Sequence, residues 1–103
     1  MSLTSLWKSE KGELAIKHIQ AVVSWAGDGK LRDGNKTSEE FREFLTNIPS
    51  SILARYANEC LYDEKFSDGP SALQDVINEV GRRLGFKVQN GLYQGRKNEI
   101  GND

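Results

Sequence analysis

Apolar residues recur in the first quarter of the chain at Ala15, Ile16, Ile19, Val22, Val23 and Ala26. Steps of three, four and seven set them on one face of a helix, which this spacing predicts over residues 9–26. Leu14, Ala21 and Trp25 widen the stripe, so that helix should be well buried. GDGKLRDGN, residues 27–35, then ends it with three glycines and two aspartates. Thr37 with Glu40 three positions on is a capping-box signature ahead of Phe41, Phe44 and Leu45. Asn47, Ile48 and Pro49 break this short helix, and Pro49 suits the first position of the next.

The third helix carries the cleanest stripe: Ile52, Leu53, Tyr56, Ala57, Cys60 and Leu61. YDEKFSDGPS is a polar connector, and its DGP marks a turn and a restart. Ser71 with Gln74 opens a fourth helix with Leu73, Val76, Ile77, Val80 and Leu84 on one face. Gly85 suits the left-handed residue beyond its end. The period then shortens. Phe86, Val88, Leu92 and Tyr93 predict a strand or a hairpin turning at Asn90–Gly91. The fold class expected is mainly α, a four-helix N-terminal module followed by a C-terminal β-hairpin or strand.

At 103 residues the chain suits one domain with one core. Fourteen Lys and Arg against fifteen Asp and Glu leave a net charge of −1, so no global field attracts nucleic acid or an anionic membrane. A local patch is still open. The single cysteine, Cys60, allows no internal disulfide and suits a reducing compartment. Apolar runs are short and no basic leader precedes one, so neither a membrane span nor a signal peptide is expected. The expected localisation is cytoplasmic.

Few residues carry obvious chemistry. Taking Asp28 as the first ligand of a calcium loop puts Lys30 and Arg32 at the third and fifth positions, where oxygen ligands are needed. The glycine spacing there is not that of a P-loop. His18 shares a helix side with Leu14, Ala21 and Trp25 and reads as structural, while Cys60 reads as a small buried hydrophobe. Arg82, Arg83, Lys87, Arg96 and Lys97 cluster in the last quarter. Cations near a helix C-terminus complement its dipole, and that alone accounts for Arg82 and Arg83. The five together would also suit phosphate contact. Asp75, Glu79 and Arg83 follow at i, i+4 and i+8, which reads as a surface ion-pair ladder or as a helix presenting Glu79 to a metal.

SALQDVINEVGRRLGFKVQNGLYQGRKNEIGND, residues 71–103, resembles the opening of restriction-endonuclease-like domains of the PD-(D/E)XK superfamily. The likeness lies in an NE-GRRL-F helix, a strand with G-Y-G and an IG-D turn. It implies that Asp103 matches the first acidic metal ligand and Glu79 the helix acid some members place near the metal. Asn90, Gly91, Tyr93, Gly95, Asn98, Ile100 and Gly101 match the strand-turn frame. Residues 1–66 would form a helical module, and 67–103 the helix and hairpin that start such a core, in one compact unit. The resemblance implies a Mg²⁺-dependent nuclease as the parent, with metal-assisted hydrolysis as its chemistry. The family's E-x-K strand has no counterpart in these 103 residues, so no catalysis and no metal or other cofactor is expected of them alone. DNA is the partner implied, and two copies pairing through strands at residues 86–101 are a further expectation. The alternative is a free-standing helical protein-interaction or regulatory module.

Overall fold

The computed structural model describes residues 2–88. Among these residues six helices follow in order: α1 (Leu3–Ser9), α2 (Lys11–Ala15), α3 (Ile19–Ser24), α4 (Lys36–Leu45), α5 (Ser50–Tyr62) and α6 (Gly69–Arg83). No strand occurs among the described residues. Phe86, Lys87 and Val88 leave α6 as irregular chain, and the rest of the expected hairpin, with Arg96, Lys97 and Asp103, lies outside the described residues. No helix among them is long and apolar enough to cross a membrane.

The continuous helix expected over residues 9–26 is divided. Its periodic stripe is real, but α2 stops at Ala15 and α3 restarts at Ile19, leaving Ile16 exposed. An unforeseen helix, α1, precedes them. Ser2 caps it by accepting the Ser5 N–H at 3.1 Å, and Leu3, Thr4 and Trp7 line its buried side. Trp7 meets the Phe44 ring edge-on at 5.9 Å between centroids, which ties α1 to α4.

The connection through residues 27–35 is bound to α4 by that helix's own first turns. Asn35, not Thr37, is the cap, and its Oδ1 accepts the Ser38 N–H at 2.9 Å. Thr37 is left to face the loop instead. Its hydroxyl donates to the Ala26 carbonyl at 2.9 Å and accepts the Asp28 N–H at 3.0 Å. Glu40 accepts the Gly27 N–H at 3.0 Å. A side chain on Gly27, at φ +51°, would collide with the Thr37 hydroxyl. The loop continues to α6, where Asp68 accepts the Leu31 N–H at 2.9 Å. The Lys30 N–H and the Thr37 hydroxyl hold the Asp28 carboxyl below its usual range.

Phe41, Phe44, Leu53, Tyr56 and Val76 centre one core to which all six helices contribute. α6 enters it by a face that its apolar pattern does not suggest. Ala72, Asp75, Val76, Asn78 and Glu79 are buried, while Ile77 is 56% exposed and Leu84 72%. The surface ion-pair ladder is thereby corrected: its acids lie inside. Arg42 of α4 donates from Nε to Asp75 at 3.0 Å, and the Asp75 side chain has no exposed surface. Glu79 takes Arg83 Nε at 2.9 Å and lies 3.6 Å from Arg82. Arg83 spans onward to the Leu45 carbonyl at 2.9 Å and to the Ser50 hydroxyl at 3.1 Å. The corner between α4 and α5 ends in polar groups, and charged side chains complement it where leucine would not.

Two consequences are measurable. Arg42→Ala removes the guanidinium facing a buried carboxylate and should lower unfolding free energy by about 3 kcal/mol, against a few tenths for a surface pair. The double change Arg42→Met with Asp75→Leu should recover most of that loss in urea denaturation.

The second concerns alkali. Burial, with help from Glu59 and against Arg55, pushes the Tyr56 hydroxyl up to about 12 from 10.0. The unfolded chain gives up this proton first, so the stability it contributes is whole below pH 10 and falls as pH rises toward 12. Tyr56→Phe should remove about 2–3 kcal/mol of that alkaline loss. Near neutral pH it should cost little, since the buried hydroxyl has no hydrogen-bond partner among the described residues.

Candidate functional site

α5 sends Arg55 and Glu59, one helical turn apart, into the break between α2 and α3. Arg55 Nη1 donates to the Ala15 carbonyl and Nη2 to the Lys17 carbonyl at 2.6 Å, at the open C-terminal end of α2. Glu59 Oε1 accepts the Ile19 N–H at 2.7 Å, at the N-terminal end of α3. Each charge has the sign that the helix end beside it favours. Arg55 Nε lies 3.4 Å from Glu59 Oε2, so the two also face one another.

The second oxygen of Glu59 holds a histidine. His18, in the N-cap position of α3, bonds from Nδ1 to Glu59 Oε2 at 2.8 Å. Accepting that bond on a carboxylate puts a proton on Nδ1 and leaves Nε2 as the open position of the ring. His18 is 82% exposed. The reading of it as a helix-face residue beside Leu14 and Trp25 is therefore corrected, because the break turns it out of the helical stripe. The ring stands at the rim of an open cleft of about 410 Å³, with Ile19, Gln20, Tyr62 and Asp63 as the other walls.

Chemically, this cleft offers hydrogen bonds from an oriented imidazole, an amide, a phenol and two carboxylates. No serine, threonine or cysteine is among its described lining residues. Cys60 packs half-buried against the core, and burial, then Glu59 and Asp63, push its thiol up to about 11. No group of three or more His, Cys, Asp or Glu that could hold a metal ion occurs among the described residues.

The residues singled out from sequence fall elsewhere. Arg82 and Arg83 come together, but on Glu79, and Arg83 is further engaged with α4 and α5. Glu79 is buried in that cluster. Lys87 is exposed beyond the end of α6. Sequence reasoning missed Arg55 and Glu59. Their i, i+4 spacing on a helix was a visible signal, but its target, a helix break not foreseen, was not. No family model matches the chain, and neither a curated protein nor a solved structure matches it.

The two partners of the His18–Glu59 contact should behave unequally. Glu59→Ala uncaps α3 and removes the anion facing Arg55, and should cost about 2 kcal/mol in denaturant unfolding. His18→Ala removes only the exposed partner and should cost about 0.5 kcal/mol or less. Equal losses would refute the assignment of Glu59 as the cap.

Proposed function

We propose that this chain is the helical part of a restriction-endonuclease-like DNA-processing protein, acting in the cytoplasm as a support and not as the catalyst. The observation that carries this reading is the two-sided character of α6. One side is locked to α4 and α5 through Asp75, Glu79 and Arg83, and the other presents Ile77, Val80 and Leu84 outward. A helix held rigid on one face and apolar on the other is suited to carrying further structure. The likeness of residues 71–103 to the opening of such a nuclease core supports the same reading. Glu79 is engaged by two arginines, which favours a structural role for it over metal binding. The parent's Mg²⁺ chemistry would then rest on carboxylates other than Glu79, among which Asp103 is the match by resemblance.

A second reading, a helical protein-interaction module, is favoured by the His18 cleft. Tyr62 and Leu61 stand exposed beside it at the end of α5. Exposed aromatic and aliphatic side chains next to oriented polar groups suit a protein contact.

DNA contact in the first reading falls to the cations not engaged with Glu79: Lys87, Arg96 and Lys97. Binding to duplex DNA should be weak and indifferent to sequence, with a log–log salt slope of roughly −2.7 for three phosphate contacts. Changing these three to Ala should abolish it without altering the helical circular dichroism. Arg83→Ala should instead lower stability. With Mg²⁺ and supercoiled plasmid, no cleavage is expected. Cleavage would overturn the support role, and binding that ignores the triple change would overturn the DNA contact.

A further inference from the structure

The outward stripe of α6 has a spacing that reads the same in both directions. Leu73, Ile77, Val80 and Leu84 are separated by four, three and four positions. Such steps keep a row of side chains in line along one side of a helix. Leu84, the last of them, holds helical backbone at the C-cap, with φ −83° and ψ 0°, so the row runs unbroken. Leu73 is half-buried, while Ile77, Val80 and Leu84 are exposed. Beside the row, Pro70, Leu73, Gln74, Ile77 and Asn78 line an open hollow of about 290 Å³. The first four of these stand at i, i+3, i+4 and i+7, the set of four that receives one side chain from a facing helix.

We infer that a second copy of this chain packs its α6 antiparallel against this face, with Leu84 of each copy seated in the hollow of the other. Because the spacing is palindromic, a two-fold axis crossing α6 between Asn78 and Glu79 sets Leu73 opposite the partner's Leu84 and Ile77 opposite the partner's Val80. The same axis sets the centre of the hollow, between Leu73 and Gln74, opposite the end of the partner's row. One register therefore aligns the row and fills the hollow, whereas a parallel pair would set the two Leu84 side chains against each other. Charge permits the match. Gln74, Asn78 and Gly81 border the row on the side of the hollow and are neutral. Asp75 and Glu79 are buried on the core side, and Arg82 and Arg83 are drawn to Glu79. Phe86, 68% exposed just beyond α6, and Val88, close against Gly81, extend the apolar surface. Fifteen residues make about 22 Å of helix. A contact of that length belongs to the small class of interfaces, below about 1,200 Å², so the pair is weak and depends on concentration. The pairing goes beyond the support role: it uses the outward face of α6 but not the nuclease likeness, so either can fail while the other holds.

Mass and register test it, and neither measurement involves DNA. In sedimentation equilibrium from about 10 µM to about 1 mM, the mass should rise toward twice that of the chain, as suits an interface this small. Ile77→Asp, at an exposed position in the middle of the row, should keep the monomer mass throughout with unchanged helical circular dichroism. Leu84→Asp should do the same from the end of the helix. For register, Leu73→Cys and a tagged Leu84→Cys, both in a Cys60→Ala background, are mixed with oxidised glutathione and read on non-reducing gels. The mixed disulfide should form at least about tenfold faster than either variant's disulfide with itself, since pairing raises the effective concentration of facing thiols. Monomer at every concentration, a mass that both aspartate changes leave doubled, or a mixed disulfide no faster than the self-pairs would overturn the inference.

Discussion

A single turn of α5 sets the course of the N-terminal half. Arg55 and Glu59 present opposite charges to opposite kinds of helix end, the one to carbonyls at the close of α2 and the other to an amide at the start of α3. Helices of five and six residues have no stability of their own in water, because nucleation costs more than so few hydrogen bonds return. They persist here because the break between them is filled by a guanidinium and a carboxylate already fixed on a longer helix. The same carboxylate orients His18, so the only imidazole in the sequence is positioned by a group whose main task is architectural.

α6 shows a different balance. Its apolar residues suggested one buried face, yet the buried face is the charged one. Both faces obey ordinary rules. Ala72 and Val76 enter the core, and the acids beside them meet Arg42 and Arg83, which also satisfies the Leu45 carbonyl at the end of α4. Burying ion pairs is tolerated where every partner is in place. The outward leucine and isoleucine positions are then free for other contacts.

Much of the helical content was legible from spacing. The stops at residues 27–35 and at Asn47–Pro49, the stripe of α5 and the position of α6 all follow from local signals that act within a few residues. The failures share a cause. The break at residues 16–18, the choice of Asn35 over Thr37 as a cap, and the rotation of α6 each depend on a partner distant in sequence: Glu59, Gly27 and Arg42 in turn. The candidate site was illegible for the same reason. His18 and Glu59 lie 41 positions apart, and only the fold makes them neighbours.

The junction of Gly27 with Thr37 constrains how this sequence is able to drift. The hydroxyl sits where a β-carbon on residue 27 would go, while it serves the Ala26 carbonyl and the Asp28 amide. Alanine at residue 27 would require a smaller neighbour at residue 37 and a backbone that tolerates a positive φ. A serine at 37 would keep the bonds and the obstruction alike. Alanine at residue 27 alone is therefore closed to a chain that keeps this turn and its hydroxyl, whereas serine at residue 37 alone is not.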